Sequence, residues 1–214
     1  MKIKVVTRIM EANDRIAAEN RKAFDDAGVY VINIMSAPGA GKTSLIERTI
    51  KELNGKLKIG VIEGDIAGTD DAQMIENLGI PVVQINTDGA CHLDANMINE
   101  AMADLPLKDL DLLIVENVGN LVCPAEFKVG ENIKVMLLSI TEGDDKPLKY
   151  PLMFQESSAL ILNKIDLLPY TNASLDKIKK DSLSLNPHLK IFEVSCKTGE
   201  GTGEWAQWLL SLVK

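Results

Sequence analysis

This 214-residue chain has only three cysteines and two histidines, yet Cys91 and His92 stand side by side in "DGACHLDANM". A third ligand, Cys123, lies in "NLVCPAEF". Two thiolates and an imidazole form a set suited to Zn²⁺ or Ni²⁺, one ligand short of a closed tetrahedron. A symmetric dimer could close it by sharing thiolates across its two-fold axis. The plainer reading keeps Cys91 as a small buried apolar residue and His92 as a polar surface one.

A second constellation is built for phosphate. "INIMSAPGAGKTSLIERTI" runs from a strand through a glycine-bearing turn into a helix. In that context Gly39, Ala40 and Gly41 turn backbone N–H groups inward, with those of Thr43 and Ser44 following at the helix start. Lys42 supplies a point charge and the Thr43 hydroxyl a Mg²⁺ ligand. Ser36 stands where the common pattern has its first glycine. Further on, "ALILNKID" ends a strand with Asn163, Lys164 and Asp166, and "SCKTGEG" adds Ser195, Cys196 and Lys197. The Asp166 carboxylate can accept from both N1–H and the exocyclic amine of guanine, a donor pair that adenine lacks. Asn163 can hold the loop, and the Lys164 stem can cover the base. GTP is therefore the expected nucleotide, with Cys196 read as packing against the base loop. On the Mg²⁺ side, Glu116 of "ENVG" and Asp65, Asp70 and Asp71 of "EGDIAGTDDA" are the available carboxylates, although aspartates there also serve as helix caps. Lys42, Asp71 and Glu116 are the candidate catalytic side chains; Thr43, Asp65, Asp71 and Glu116 are the candidate Mg²⁺ ligands.

These groups need a frame to hold them. Seven short runs rich in Val, Ile and Leu, at 29–35, 57–63, 80–85, 110–116, 133–140, 159–164 and 190–195, are nearly continuous in hydrophobicity. They read as strands covered on both faces. Helical patterns at 43–53, 70–78, 93–104, 174–185 and 203–213 separate most of them. The expected fold is α/β: a P-loop NTPase with a largely parallel sheet of about seven strands flanked by helices, ligands at the carboxyl ends of the strands. An amphipathic helix carrying Ile9, Ile16, Ala17 and Phe24 precedes it, so residues 1–28 are read as a helical segment and 29–214 as the GTPase domain. Trp205 and Trp208 read as core or partner-face residues. Lys146 and Lys149 flank Pro147 in a loop that either reaches nucleotide or a partner subunit, or is a solvated turn.

Composition excludes several classes. A net charge of −8 argues against nucleic acid as main partner. No apolar run is long enough to span a membrane, the first residues are too acidic for a leader, and three cysteines make no disulfide framework, so a cytoplasmic protein is expected.

Taken together, "SAPGAGKTSL", "EGDIAGTDDA", "NTDGACHLDANM", "ENVGNLVCPAEF", "TEGDDKPLKYPLMF" and "LNKIDLLP" make nearly the whole chain resemble the HypB GTPases, which help deliver nickel to [NiFe] hydrogenase. The resemblance implies a GTP-dependent homodimer with Cys91, His92 and Cys123 as a metal site at its interface. It also implies a partner metallochaperone and the hydrogenase large subunit as partners. The histidine-rich extension of some members is not matched, since His92 and His188 are the only histidines, and nickel storage is not expected. Related urease accessory GTPases carry a Cys-Pro-His ligand motif, whereas Cys123-Pro124 is followed here by Ala125. Cobalamin-enzyme chaperones and an assembly GTPase with a purely structural zinc also compete with the nickel-delivery assignment. A small-molecule kinase is disfavoured by the guanine signature.

Overall fold

The computed structural model describes residues 3–53, 55–66, 68 and 70–213, with side chains for all of these except residues 3–9 and 70. Seven strands form one sheet: β1 (Tyr30–Ser36), β2 (Ile59–Asp65), β3 (Val82–Asn86), β4 (Leu112–Glu116), β5 (Ile133–Ser139), β6 (Ala159–Asn163) and β7 (Lys190–Glu193). Their spatial order is β3-β2-β4-β1-β5-β6-β7, and every pairing is parallel. The chain winds one way from β1 to β2 and β3, then returns through β4 to build β5, β6 and β7 on the other side. The break in winding falls around β1, which is where open α/β sheets bind ligands.

The helices follow the expected alternation, with three additions. α1 (Ile3–Ala27), α2 (Lys42–Leu53), α3 (Asp70–Glu76) and α4 (Ala95–Ala101) come first. Three short helices then appear, α5 (Cys123–Glu126), α6 (Lys146–Lys149) and α7 (Pro151–Glu156), before α8 (Leu175–Leu185) and α9 (Thr202–Val213). Each of the three has proline at its first or second position, where its fixed φ and missing N–H suit a helix start. They are too short for an apolar period, so nothing in the pattern of hydrophobicity announced them. No described helix is long and apolar enough to cross a membrane.

The sheet is buried on both faces. Ile32 and Ile34 of β1 meet Leu45 and Ile46 of α2, with Trp205 and Leu209 of α9 in the same cluster. On the other face Val31 belongs with Phe24 of α1 and Ile98 of α4, and Met35 with Met153 and Phe154 of α7. Trp205 is fully buried, edge-on to Phe192, and Trp208 packs beside them. The buried face of α1 carries Ala17 and Phe24, as its apolar pattern predicts, together with two asparagines that the pattern does not. Among the described side chains of α1, Asn13, Ala17, Asn20 and Phe24 are buried, whereas Ile16 is only half-buried and the side chain of Ile9 lies outside the described residues.

Candidate functional site

β1 ends at Ser36, and α2 opens at Lys42. Between them Gly39 (φ 72°) and Gly41 (φ 102°) take left-handed conformations that L side chains rarely adopt. A Cβ on Gly41 would also stand 2.7 Å from Asn163 Nδ2. That closeness reflects a brace. Asn163 Nδ2 donates to the Ala40 carbonyl (2.9 Å), and Lys164, itself left-handed at φ 65°, donates from Nζ to the Gly39 carbonyl (2.7 Å). Asn163 Oδ1 accepts from the backbone N–H groups of Lys164 (2.8 Å) and Cys196 (3.2 Å). The loops after β1, β6 and β7 are thus tied into one cradle around a cavity of about 380 Å³ lined by Gly41, Ser44, Asp166 and Lys197.

Asp166 faces this cavity with one oxygen held by the Ser195 hydroxyl at 2.6 Å. Arg48, which the motif reading passed over, donates to the Cys196 carbonyl through Nε (3.3 Å) and Nη2 (3.2 Å) and to the Lys197 carbonyl (3.3 Å). Burial pushes the Cys196 thiol up to about 11, so it stays protonated and inert while its backbone does the bonding.

Below the phosphate loop lies an acidic cluster. Glu116 Oε1 accepts the Thr43 hydroxyl at 3.0 Å and has Lys42 Nζ at 3.9 Å. Glu63 is its register partner across β2 and β4, and Glu63, Asp71 and Glu116 each bring an oxygen within 4.8 Å of the others. Both glutamates are buried, and Oε2 of each lacks a hydrogen-bond partner. Burial, reinforced by the charges of Glu116, Asp65 and Asp71, pushes Glu63 up to about 8. Burial raises Glu116 to about 7 against the opposing pull of Lys42 and the Thr43 bond. Carboxylates this dry and close favour a cation among them. With the Thr43 hydroxyl alongside, the oxygen donors fit a hard ion such as Mg²⁺. Asp65 stands outside this trio, with Oδ1 accepting from Ile66 N–H at 2.7 Å, and the side chain of Asp70 lies outside the described residues. Glu63 was hidden because it ends an apolar run; its one visible signal was lying two residues before Asp65, on the same face of a strand.

The sulfur ligands meet at the same edge of the sheet. Cys91 follows β3, and Cys123 opens α5, with their Sγ atoms 3.2 Å apart and both thiols free. His92 Nδ1 lies 3.7 Å from Cys91 Sγ, and all three ligand atoms fall within 4.8 Å of one another. The His92 ring lies on Phe127, centroids 3.9 Å apart. Burial lowers its pKa, against the charges of Asp94 and Glu126, which favours the neutral imidazole a metal needs. The neighbouring Cys91 thiol, then burial, hold Cys123 above the usual thiol value.

The segment between Glu116 and Cys123 links the two clusters. Asn117, fully buried, accepts from Leu93 N–H (3.1 Å) and Val118 N–H (3.0 Å) and donates to Asn33 of β1 (3.1 Å). A Cβ on Gly119 would stand 2.9 Å from the Pro38 backbone, so this loop lies directly on the phosphate loop. Asn120 Nδ2 then donates to the Cys91 carbonyl at 3.1 Å. Lys146 and Lys149 sit in α6: Lys146 Nζ donates to the Glu142 carbonyl (2.7 Å), and Lys149 pairs with Asp145 (2.5 Å).

An all-parallel sheet with a phosphate loop after its central strand and an Asn-Lys-x-Asp loop braced against it defines a P-loop nucleotide-binding protein of the GTPase class. Sequence comparison takes this further. The family model "CobW/HypB/UreG, nucleotide-binding domain" matches residues 30–193. The chain belongs to this family, on its HypB branch. The hydrogenase maturation factor HypB of Azotobacter vinelandii is 47% identical over 97% of this chain and 68% of its own length. The crystal structure of HypB from Archaeoglobus fulgidus superposes with a TM-score of 0.90 at 41% identity, covering 95% of this chain and 100% of that one. HypB from Helicobacter pylori, solved in complex with nickel, gives 0.90 at 39% identity, covering 94% and 95%.

Proposed function

We propose that this chain is a GTP-hydrolysing metallochaperone that uses a GTP- and metal-dependent homodimer cycle to deliver nickel during [NiFe] hydrogenase maturation. The observation that carries this reading is the single loop from Glu116 to Cys123, which touches the phosphate loop at Pro38 and the soft-ligand cluster at Cys91. The nickel complex of the Helicobacter pylori relative supports nickel as cargo. Zn²⁺ is the competing occupant of the same Cys91, His92 and Cys123 set.

In this reading residues 29–214 form the GTPase domain and residues 1–28 a helical segment before it. GTP enters with its guanine against Asp166 and Lys164 and its phosphates under Gly39, Ala40, Gly41, Lys42, Thr43 and Ser44. The backbones of Ser195, Cys196 and Lys197 shape the base loop. Thr43, Asp71, Glu116 and Glu63 would hold Mg²⁺, with Asp65 near, and the bound ion would neutralise developing phosphate charge. Glu116 and Asp71 orient the attacking water, and Lys42 follows the charge that builds on the leaving phosphates. Contact of the γ-phosphate with the Gly119 loop biases the position of Cys123, and release of phosphate lifts that bias. The cargo metal is held by thiolates and imidazole open to a second copy of the chain. Val122, an exposed apolar residue lining a cavity with Pro38, Gly119, Lys146 and Tyr150, supports that face as the dimer contact. A partner metallochaperone and the hydrogenase large subunit complete the route, in the cytoplasm.

The test is Ni²⁺ and Zn²⁺ affinity and stoichiometry in nucleotide-free, GDP-bound and GTP-analogue-bound protein. Affinity that differs between nucleotide states supports delivery. Metal bound equally in every state, with no response of the dimer, refutes it and leaves a structural site.

A further inference from the structure

The helix before the sheet holds both loops of the soft-ligand cluster at once. Asn13 and Asn20 lie seven residues apart on the buried face of α1, 7% and 0% exposed. Asn13 Oδ1 accepts from Ala95 N–H (2.9 Å), and its Nδ2 donates to the Lys128 carbonyl (2.9 Å). Asn20 Nδ2 donates to the Ala95 carbonyl (2.7 Å) and the Val129 carbonyl (3.1 Å), while its Oδ1 accepts from Asn99 Nδ2 (2.8 Å). Ala95 comes three residues after His92. Lys128 and Val129 follow Phe127, on which the His92 ring lies, and Cys123 stands five residues before Lys128.

Each asparagine therefore bridges the His92 segment to the Cys123 segment. The approach is close: a Cβ on Gly130 would stand 2.7 Å from Asn20 Cβ and 3.0 Å from the Arg21 backbone nitrogen. Apolar residues at 13 and 20 would be enough to seat α1 on the core. A buried amide costs free energy unless all its bonds are made, and its return is a fixed geometry for the groups it joins.

We propose that Asn13 and Asn20 are positioning residues of the soft-ligand site, and that α1 acts as a strap setting the distance between the Cys91-His92 loop and Cys123. This rests on the metal-binding reading above. Removing either asparagine cuts one of the two bridges that α1 makes between these loops while leaving all three ligands in place. Groups that orient ligands in this way are typically worth about 10–100-fold in metal affinity.

The experiment measures Ni²⁺ affinity by chelator competition, the thiolate charge-transfer spectrum with Co²⁺, GTP affinity and thermal midpoint for the intact chain, Asn13→Ala and Asn20→Ala. Trp205→Phe is the control: it removes a buried bond to Thr49 on the opposite face of the sheet. The expected result is Ni²⁺ affinity weakened about 10–100-fold with an altered Co²⁺ spectrum in both asparagine variants, GTP affinity unchanged, and Ni²⁺ affinity unchanged in the control. Metal affinity lost equally in the control at equal destabilisation, or retained in both asparagine variants, overturns the strap. Should the variants not fold, linkage supplies a measurement on the unaltered protein, because a strap that favours the metal must be steadied by it. Ni²⁺ must then slow amide exchange across residues 13–24, and exchange indifferent to Ni²⁺ overturns the proposal. If the unaltered chain binds no Ni²⁺ through Cys91, His92 and Cys123, the metal-binding reading itself has failed and the strap falls with it.

Discussion

Replacing Glu116 by glutamine should separate binding from hydrolysis. The new side chain has the same shape, its carbonyl can still accept the Thr43 hydroxyl now held at 3.0 Å, and its amide can donate towards the carboxylates of Glu63 and Asp71 within 4.8 Å. The local structure therefore survives, and what disappears is one negative charge. Above about pH 7, where Glu116 is ionised, that charge lies 3.9 Å from Lys42 Nζ, and an effective dielectric of ~20 gives about 4 kcal/mol of attraction. Freed from it, Lys42 is more available to the phosphates, so GTP affinity should stay within about tenfold of the parent or rise. Hydrolysis should fall by a factor on the order of 10² or more, the scale of a lost positioning or acid–base group, at roughly 1.4 kcal/mol for each tenfold. Single-turnover phosphate release with Mg²⁺, alongside direct GTP binding, reads the two quantities separately. Full turnover in Glu116→Gln would refute the assignment and move the role to Asp71 or Glu63.

Lys42→Ala should remove most GTP binding, and Asp166→Asn should turn base preference towards xanthosine triphosphate, since an acceptor becomes a donor; competition binding with both nucleotides checks this. Cys91→Ala or Cys123→Ala should abolish Ni²⁺- or Zn²⁺-dependent dimerisation in analytical ultracentrifugation while GTP affinity stays near the parent value. Glu63, raised from 4.5 to about 8, binds its proton more tightly folded than unfolded. Its contribution to stability is present below about 4.5 and is lost as pH rises through about 8. Nucleotide- and metal-free protein should therefore lose thermal stability across that interval, and Glu63→Gln should flatten the slope; an identical slope in the variant counts against the buried-acid assignment.

The frame was readable because its signals are long and regular. Seven buried runs, each bounded by helix or turn, left little freedom in the sheet, and all seven strands fall within or beside the expected spans. The phosphate and guanine loops were readable because glycine and the Asn-Lys-x-Asp order state backbone and base geometry directly. What escaped were groups whose role exists only across space. Glu63 hid in a run of core residues, its meaning supplied by its register with Glu116. Asn13 and Asn20 are polar, so the period of apolar residues gave Ala17 and Phe24 of the buried face of α1 but passed over the two asparagines on it. Arg48 looked like an ordinary charged residue on α2, and only the turn after β7 gives its guanidinium carbonyls to hold.

The strap also carries a statement about time. Asn20 waits for Ala95, 75 residues further on, and Asn13 for Lys128, 115 residues further on. At roughly 5–20 residues per second of synthesis, the interval between Asn13 and Lys128 lasts about 6–23 seconds. Cys91 and His92 are made within that interval, before Cys123 and before the bonds that hold them in register. On the strap proposal, the soft-ligand cluster reaches its ordered geometry only once the chain's first helix has seated on its middle. Tight metal binding would then belong to the folded protein, and a nascent chain ending before Lys128 should hold Ni²⁺ more weakly.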